Sequence, residues 1–437
     1  METQENQLFA IVDCNNFYVS CERIFNPKLK QKPVVVLSNN DGCVVARSNE
    51  AKALDIPMGI PFFKVKHLIR QQGLVALSSN YALYGDLSER VMNIIADDHP
   101  QIEIYSIDEA FIDFTGTSVS EAIKQAQKLK TKVQQWVGIP ISIGIAATKT
   151  LAKVANKKAK KEKQHQGVFH LGADKADEIL QRTSVGDIWG IGRKINAYLG
   201  QHGVYKASEF TALPPHFVRK KLKVTGYRTY LELKGFSCIA LDNSPSPKKS
   251  ICSSRSFGEM LTEYTDLRDA VTTFCMRAAG KLKQQDGHAS VVQVFIKTNR
   301  FRQDQKQYFN THGICLPEAT QDQSVLIKAA HECLNFIFRK GYAYKKAGVI
   351  LSGIQQGGQI QLHLFNSANA SQESAKQQKL QKTMEQINQK YRKNTLIYGG
   401  QLPAKNKADM SKSEHRSPNY VGKWEDLLTI HLGKFKK

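Results

Sequence analysis

The sequence predicts an α+β protein of several domains. Three observations carry this. At 437 residues, 41% of them hydrophobic, the chain is too long for a single core. Short strand-like apolar runs alternate with amphipathic helical stretches, so no single period governs the chain. Residues 243–250 (NSPSPKKS) are dense in Pro and Ser and read as a linker between units.

The elements follow in order. Residues 8–12 (LFAIV) are a continuous apolar run, as in a buried strand, and end in Asp13. Residues 33–38 form a strand, 39–42 (NNDG) a turn and 43–47 the partner strand, followed by a helix over 49–54. Then come a helix at about 80–98, a hairpin over 102–114, a helix at about 119–137, a strand at 140–146 and a helix at 148–160. Helices alternating with a short, mostly antiparallel sheet point to a ferredoxin-like split βαβ layer from residues 1–16 and 80–170, interrupted by residues 17–79. Residues 171–240 read as a small helical unit and 241–250 as the linker. Residues 251–360 mix strands (291–298, 348–352) with helices (267–286, 323–340). Residues 366–437, rich in Gln, Asn, Lys and Ser, are expected to hold one helix at about 371–391 and little other structure.

Charge narrows the partners. With 62 Lys+Arg against 39 Asp+Glu, the formal charge is +23, which favours a polyanion, nucleic acid before membrane. No apolar run reaches the ~18 residues of a membrane span, and the start METQENQ is polar, so a cytoplasmic protein with no membrane partner is expected. Cys14, Cys21, Cys43, Cys238, Cys252, Cys275, Cys315 and Cys333 show no CxxC and no zinc spacing with His, and read as reduced, mostly buried thiols.

The chemistry concentrates in residues 104–114 (IYSIDEAFIDF). Asp108 and Glu109 are adjacent like charges near a hairpin turn, an arrangement that costs free energy unless a cation neutralises it. An isolated pair of this kind is more often an ordinary exposed acidic turn, and the other residues around it decide otherwise. Asp13, just past a buried strand, adds a third carboxylate; alone it reads equally as a helix N-cap. Three carboxylates suffice to bridge two Mg²⁺ ions, which at ~3.5–4 Å separation clamp the oxygens of a phosphoryl transfer. Lys153, Lys157, Lys158, Lys160, Lys161 and Lys163 crowd one segment, a surface for phosphates or a solvated helix end. Residues 187–193 (DIWGIGR), followed by an amphipathic stretch, read as a helix-hairpin-helix in which Gly190 and Gly192 free backbone N–H groups for a DNA phosphate.

DCNNFYVSCE (from Asp13) and SIDEAF (from Ser106) resemble the two metal-binding motifs of the Y-family lesion-bypass DNA polymerases. PVVVLSNNDGCVVARSNEAKALDIPMG closely resembles the UmuC branch, that of the catalytic subunit of bacterial DNA polymerase V. So do SSNYALYGDLSERVM, GIAATKTLAKVANKKAKK, DIWGIGRK and ICSSRSFGE, in register from about residue 8 to about 365. The resemblance implies a right-hand polymerase: palm (1–16 and 80–170), small fingers (17–79), helical thumb (171–240) and an α/β little finger that grips DNA (251–360). It implies that Asp13, Asp108 and Glu109 are catalytic and hold two Mg²⁺, and that Tyr18, five residues past Asp13, is the steric gate against a 2′-hydroxyl. Its alternative is a core tyrosine. Lys52 and Lys160 match positions that hold the dNTP triphosphate, while Arg47 on the finger strand is placed to reach the nascent base pair. Ala46, Asn49 and Lys52 depart from the Thr, Tyr and Arg of other branches, and lysine offers a point charge in place of a bidentate fork. Lys153 and Lys157 are expected as DNA contacts. Gln361, Leu362, Leu364 and Phe365 (QLHLF) resemble a sliding-clamp docking peptide. Primer-template DNA, a cleaved UmuD-type dimer, a RecA filament and the sliding clamp are the partners so implied, with residues 366–437 as a partner-binding tail. The expected function is error-prone translesion synthesis in SOS DNA repair and mutagenesis. The rivals are a DNA-bound assembly subunit whose catalysis is dispensable, and a nucleotidyl cyclase, which needs neither the fingers nor the charge.

Overall fold

The structure is a computed structural model that describes residues 7–242, 246–356, 413–420 and scattered positions between 380 and 396. It divides into two compact units, one comprising the chain up to Pro245 together with the part from Glu414 onward, the other Ser246–Ser413. The division falls inside the expected linker. The clamp-type peptide at residues 361–365 lies outside the described residues. Of the helix expected at about 371–391, the described positions are helical.

In the first unit, β1 (Phe9–Cys14) is buried except at Asp13 and leads through a left-handed Asn16 into α1 (Phe17–Phe25). Next come β2 (Val34–Leu37), β3 (Val44–Arg47), the short helices α2 (Asn49–Ala53), α3 (Phe62–Val65) and α4 (Leu68–Gln72), and β4 (Val75–Ser78). Their sheet runs β3-β2-β4, with β2 antiparallel to β3 and parallel to β4. The layer that contains β1 continues with α5 (Tyr81–Asp98), β5 (Ile102–Ile104), β6 (Glu109–Asp113), α6 (Val119–Trp136), β7 (Ile141–Ala146), α7 (Lys149–Lys161) and β8 (Val168–Leu171). Its sheet order is β5-β6-β1-β7-β8, so β1 is central and antiparallel to both neighbours. Four helices complete the unit: α8 (Ala173–Arg182), α9 (Arg193–Gln201), α10 (Ala207–Thr211) and α11 (Pro215–Leu233).

Gly144 decides where α7 lies. A Cβ there would sit 2.1 Å from the Asn156 backbone nitrogen and 2.3 Å from the Ala152 carbonyl, so only glycine lets α7 rest directly on β7. Thr148 caps this helix by accepting from the Leu151 N–H at 3.2 Å. Lys153, Lys157 and Lys160 then share one helix face by their spacing.

The second unit is β9 (Ser250–Leu261), α12 (Tyr264–Gln284), β10 (Gly287–Thr298), β11 (Phe309–Thr320), α13 (Gln323–Ile337) and β12 (Tyr344–Gln356). Its antiparallel sheet runs β11-β10-β12-β9, and Phe257, Phe274, Val294, Leu334 and Tyr344 are among the buried side chains of its core.

Two expectations need correction. The C-terminal stretch was expected to have little structure beyond one helix, yet residues 414–420 pack on the first unit, with Arg416 bridging Ser78 in parallel. The cysteines are not mostly buried: Cys14, Cys21, Cys275 and Cys333 are, whereas Cys252 and Cys315 are exposed. Both exposed thiols lie on the second unit's sheet, where alternation turns every other residue outward.

Candidate active site

The carboxylates meet because β1 and β6 pair. Asp13 and Glu109 are directly opposite one another, and Asp108 immediately precedes β6. The turn that carries Asp108 is held by several bonds. Its carbonyl accepts from the Cys14 N–H at 2.9 Å, and the Tyr105 and Ser106 N–H groups donate to the Glu109 carbonyl at 3.0 and 3.1 Å. The Ser106 hydroxyl donates to Asp108 Oδ1 at 2.7 Å, and the Ser88 hydroxyl to the Ile107 carbonyl at 2.5 Å. A rigid sheet end thus presents the carboxylates in fixed positions.

Each outer carboxylate is met by a lysine from α7. Lys160 is ion-paired with Asp13, and Lys153 Nζ lies 2.9 Å from Glu109. Burial pushes the Asp13 carboxyl up to about 6; Lys160 opposes this, while Glu109 and Asp108 add to it. Lys153 is further enclosed by the rings of Tyr105 at 4.5 Å, Trp189 at 5.5 Å and Phe111 at 5.7 Å. The Trp189 indole donates to the Tyr105 hydroxyl at 2.9 Å, which braces this aromatic wall. Below it the fully buried Lys149 pairs with Glu103 and donates to the Ala240 carbonyl at 2.7 Å.

Among the described residues, no three His, Cys, Asp or Glu side chains converge closely enough to hold a metal ion as they stand. The donor set nevertheless fits a hard divalent cation. It consists of carboxylate oxygens alone, and two of the carboxylates already take an ammonium as counter-charge. Lys160 pairs with Oδ2 of Asp13 and Lys153 with Oε1 of Glu109, so a bound cation would share these carboxylates with the two ammonium groups or displace them.

The raised Asp13 carboxyl has a testable consequence. A carboxyl whose folded value lies above its unfolded 3.8 adds stability below about pH 4 and loses it as pH rises through about 6. Asp13→Asn is therefore expected to melt several degrees above the native chain at pH 8, a gain of ~2–3 kcal/mol, and no higher at pH 4. Thermal unfolding at the two pH values measures this; an equal or lower melting temperature at pH 8 contradicts it.

Lys52, Arg47 and Lys160 gather beside Asp13. Lys52 Nζ donates to Asn16 Oδ1 at 2.5 Å, and partial burial with the charges of Arg47 and Lys160 holds it below the ordinary lysine range, against Asp13. Arg47 donates to the Ile56 carbonyl at 2.6 Å, and its Nε is buried with no partner. Tyr18 is half-buried, stacked on Tyr84 at 4.3 Å and 14° and edge-on to Tyr81 at 6.2 Å.

The two lysines expected to contact DNA both have carboxylate partners within the protein. Lys153 belongs to the carboxylate site, and Lys157 is ion-paired with Asp187. The two glycines of residues 187–193 differ in their surroundings. Gly190 has φ +88°, and a Cβ on it would meet Thr229 Oγ1 at 2.8 Å; Gly192 caps α9, and a Cβ there would meet nothing within 4 Å. The Tyr105–Trp189 wall, Ser106 and the Lys149–Glu103 pair escaped the sequence reading. Trp189 inside residues 187–193 was the one available signal for the wall.

The chain matches the impB/mucB/samB family over residues 12–157, the C-terminal domain of that family over 248–364, and a domain of unknown function over 378–430. It is 40% identical to the protein UmuC of Salmonella typhimurium over 426 residues, covering 97% of this chain and 100% of the relative. It is 39% identical to the protein ImpB of Salmonella typhimurium, covering 98% and 100%. DNA polymerase IV of Dehalococcoides mccartyi is 31% identical over 65% of this chain and 73% of its own. In fold, the chain resembles a Y-family DNA polymerase chimera of Dbh and Dpo4 (TM-score 0.63, 20% identity) and DinB from Sulfolobus solfataricus (TM-score 0.51, 21% identity), each over 80% of this chain and 100% of the other. Identity at this level along nearly the whole of both chains, on a frame that solved polymerases share, is decisive: the chain belongs to the impB/mucB/samB family and is a Y-family DNA polymerase of the UmuC type.

Proposed function

We propose that the chain performs template-directed, error-prone synthesis across DNA lesions, joining a dNTP to a primer 3′-hydroxyl, in SOS repair and mutagenesis. The supporting observation is the meeting of Asp13, Asp108 and Glu109 at one sheet end beside the cations Lys160, Lys52 and Arg47. The carboxylates would hold two Mg²⁺, which when bound supply charge stabilisation for the attacking and leaving oxygens. Lys160, freed from Asp13, and Lys52 neutralise the triphosphate, whose charge grows on the leaving side. Tyr18 forms the wall beneath the sugar. Gly192 at the start of α9 lets a primer-template phosphate approach the backbone N–H groups without reading sequence. Primer extension by the purified chain on undamaged and lesion-bearing templates, with and without a cleaved UmuD-type dimer and a RecA filament, tests the reading. No extension in any combination rejects it in favour of an assembly subunit.

Recruitment to the sliding clamp is assigned to Gln361, Leu362, Leu364 and Phe365, on the apolar-polar alternation of QLHLF. Replacing Leu364 and Phe365 with Ala removes ~1.5–3 kcal/mol of burial for each side chain, so clamp affinity should fall well over tenfold. Clamp-free extension should not change. Binding of both proteins to purified clamp decides this, and equal binding rejects the docking role.

A further inference from the structure

A role follows for part of the segment that matches a domain of unknown function. Residues 414–420 run along the first unit as an extended strap. The Glu414 N–H donates to Asp41 Oδ2 at 2.9 Å. The Ser78 N–H donates to the His415 carbonyl and the His415 N–H to Ser78 Oγ, both at 3.0 Å. Asn80 Nδ2 donates to Ser417 Oγ at 3.0 Å and to the Pro418 carbonyl at 3.3 Å. Most of the strap is exposed, but Ser417 and Tyr420 are half-buried.

Those two side chains reach the helix that carries Tyr18. Ser417 Oγ donates to Glu22 Oε1 at 3.1 Å, and the same oxygen accepts from the Tyr84 hydroxyl at 2.8 Å. Glu22 is only 1% exposed, so its carboxylate depends on these donors. Tyr84 is fully buried, and its ring is the surface on which Tyr18 stacks. Tyr420 stacks on Phe25, the last residue of α1, at 4.7 Å and 6°. Glu22 lies four residues after Tyr18, one turn along the same helix face. The chain of contacts from Ser417 through Glu22 and Tyr84 thus ends on the face of Tyr18. Loss of the Ser417 hydroxyl leaves a buried carboxylate short of a donor, and Tyr84 or α1 must shift to relieve it.

We propose that the 414–420 strap braces the sugar-selecting tyrosine, with Ser417, Tyr420, Glu22 and Tyr84 as positioning residues for discrimination against ribonucleotides. This rests on the reading of Tyr18 as the gate.

The test uses the full-length chain, a Ser417→Ala/Tyr420→Ala variant, a conservative Ser417→Thr/Tyr420→Phe variant and Tyr18→Ala. Single-nucleotide incorporation gives kcat and KM for a deoxy- and a ribonucleotide. Amide exchange of peptides spanning Ser78 and residues 414–420 reads docking without reference to activity. The native chain should protect the Ser78 amide. The Ala double variant should lose that protection, and its preference for deoxynucleotides should fall ~tenfold through a lower ribonucleotide KM. The conservative variant should retain both. Loss of protection with an unchanged sugar preference overturns the proposal, as does an equal fall in both kcat values, which marks a merely structural strap. An unprotected Ser78 in the native chain shows that the strap is not docked and also overturns it. A Tyr18→Ala chain with unaltered preference sinks the gate reading itself, and the exchange data tell that failure from a failure of docking.

Discussion

Asp108→Asn should leave the chain folded and able to bind primer-template DNA while lowering the rate of nucleotide addition by ~10³-fold, about 4 kcal/mol at 1.36 kcal/mol per tenfold. The fold should survive because the turn is held mainly by backbone bonds: the Asp108 carbonyl to Cys14, and the Glu109 carbonyl to Tyr105 and Ser106. An asparagine Oδ1 still accepts from the Ser106 hydroxyl, which lies 2.7 Å away. What is lost is one negative charge from a set of three, in a place where Lys160 and Lys153 already compete for the other two. The deficit should appear in kcat and kcat/KM together, the pattern of an interaction made in the transition state. Melting temperature and DNA affinity within error of the native values, beside the lost rate, complete the expected result. Extension at near the native rate would sink the carboxylate assignment.

The carboxylate site was legible in the sequence because it is built from local patterns. An apolar run that ends in Asp13, and a hairpin whose turn carries Asp108 and Glu109, each declare themselves within about ten residues. Antiparallel pairing of β1 with β6 then brings them together. Lys153 was illegible for the opposite reason. Its place beside Glu109 depends on Gly144, which lets α7 lie on β7, and on Trp189 and Tyr105 from distant segments. Charge density alone suggested a DNA surface. The parallel partners β4 and β8 were missed because each is four residues long and follows a polar stretch. β11 hid because it has no buried face: its residues alternate between exposed and half-buried. The strap was beyond any local signal, since Asn80 and Ser417 are 337 residues apart.

Tyr18→Ala should raise ribonucleotide relative to deoxynucleotide incorporation by ~10²-fold or more, about 2.7 kcal/mol of lost discrimination. Tyr18 lies on α1, five residues past Asp13, with its ring stacked on Tyr84 and its edge toward Tyr81. The three rings form a stiff wall, and a ribose differs from a deoxyribose by the 2′-hydroxyl such a wall rejects. Truncation to alanine opens that space without touching a carboxylate or a triphosphate cation, so deoxynucleotide addition should fall far less than ribonucleotide addition rises. Tyr18 is half-buried, so the packing loss should stay below the ~3–5 kcal/mol of a fully buried aromatic, and the fold should persist. Tyr18→Phe keeps the ring and should keep the discrimination, which separates bulk from the hydroxyl. The measurement is kcat/KM for a matched ribo- and deoxynucleotide on one primer-template, for the native chain and both variants. An unchanged ratio in Tyr18→Ala would make Tyr18 a core ring of α1 and move the gate elsewhere. A ratio that rises equally in Tyr18→Phe would show that the hydroxyl, rather than the bulk of the ring, excludes the ribose.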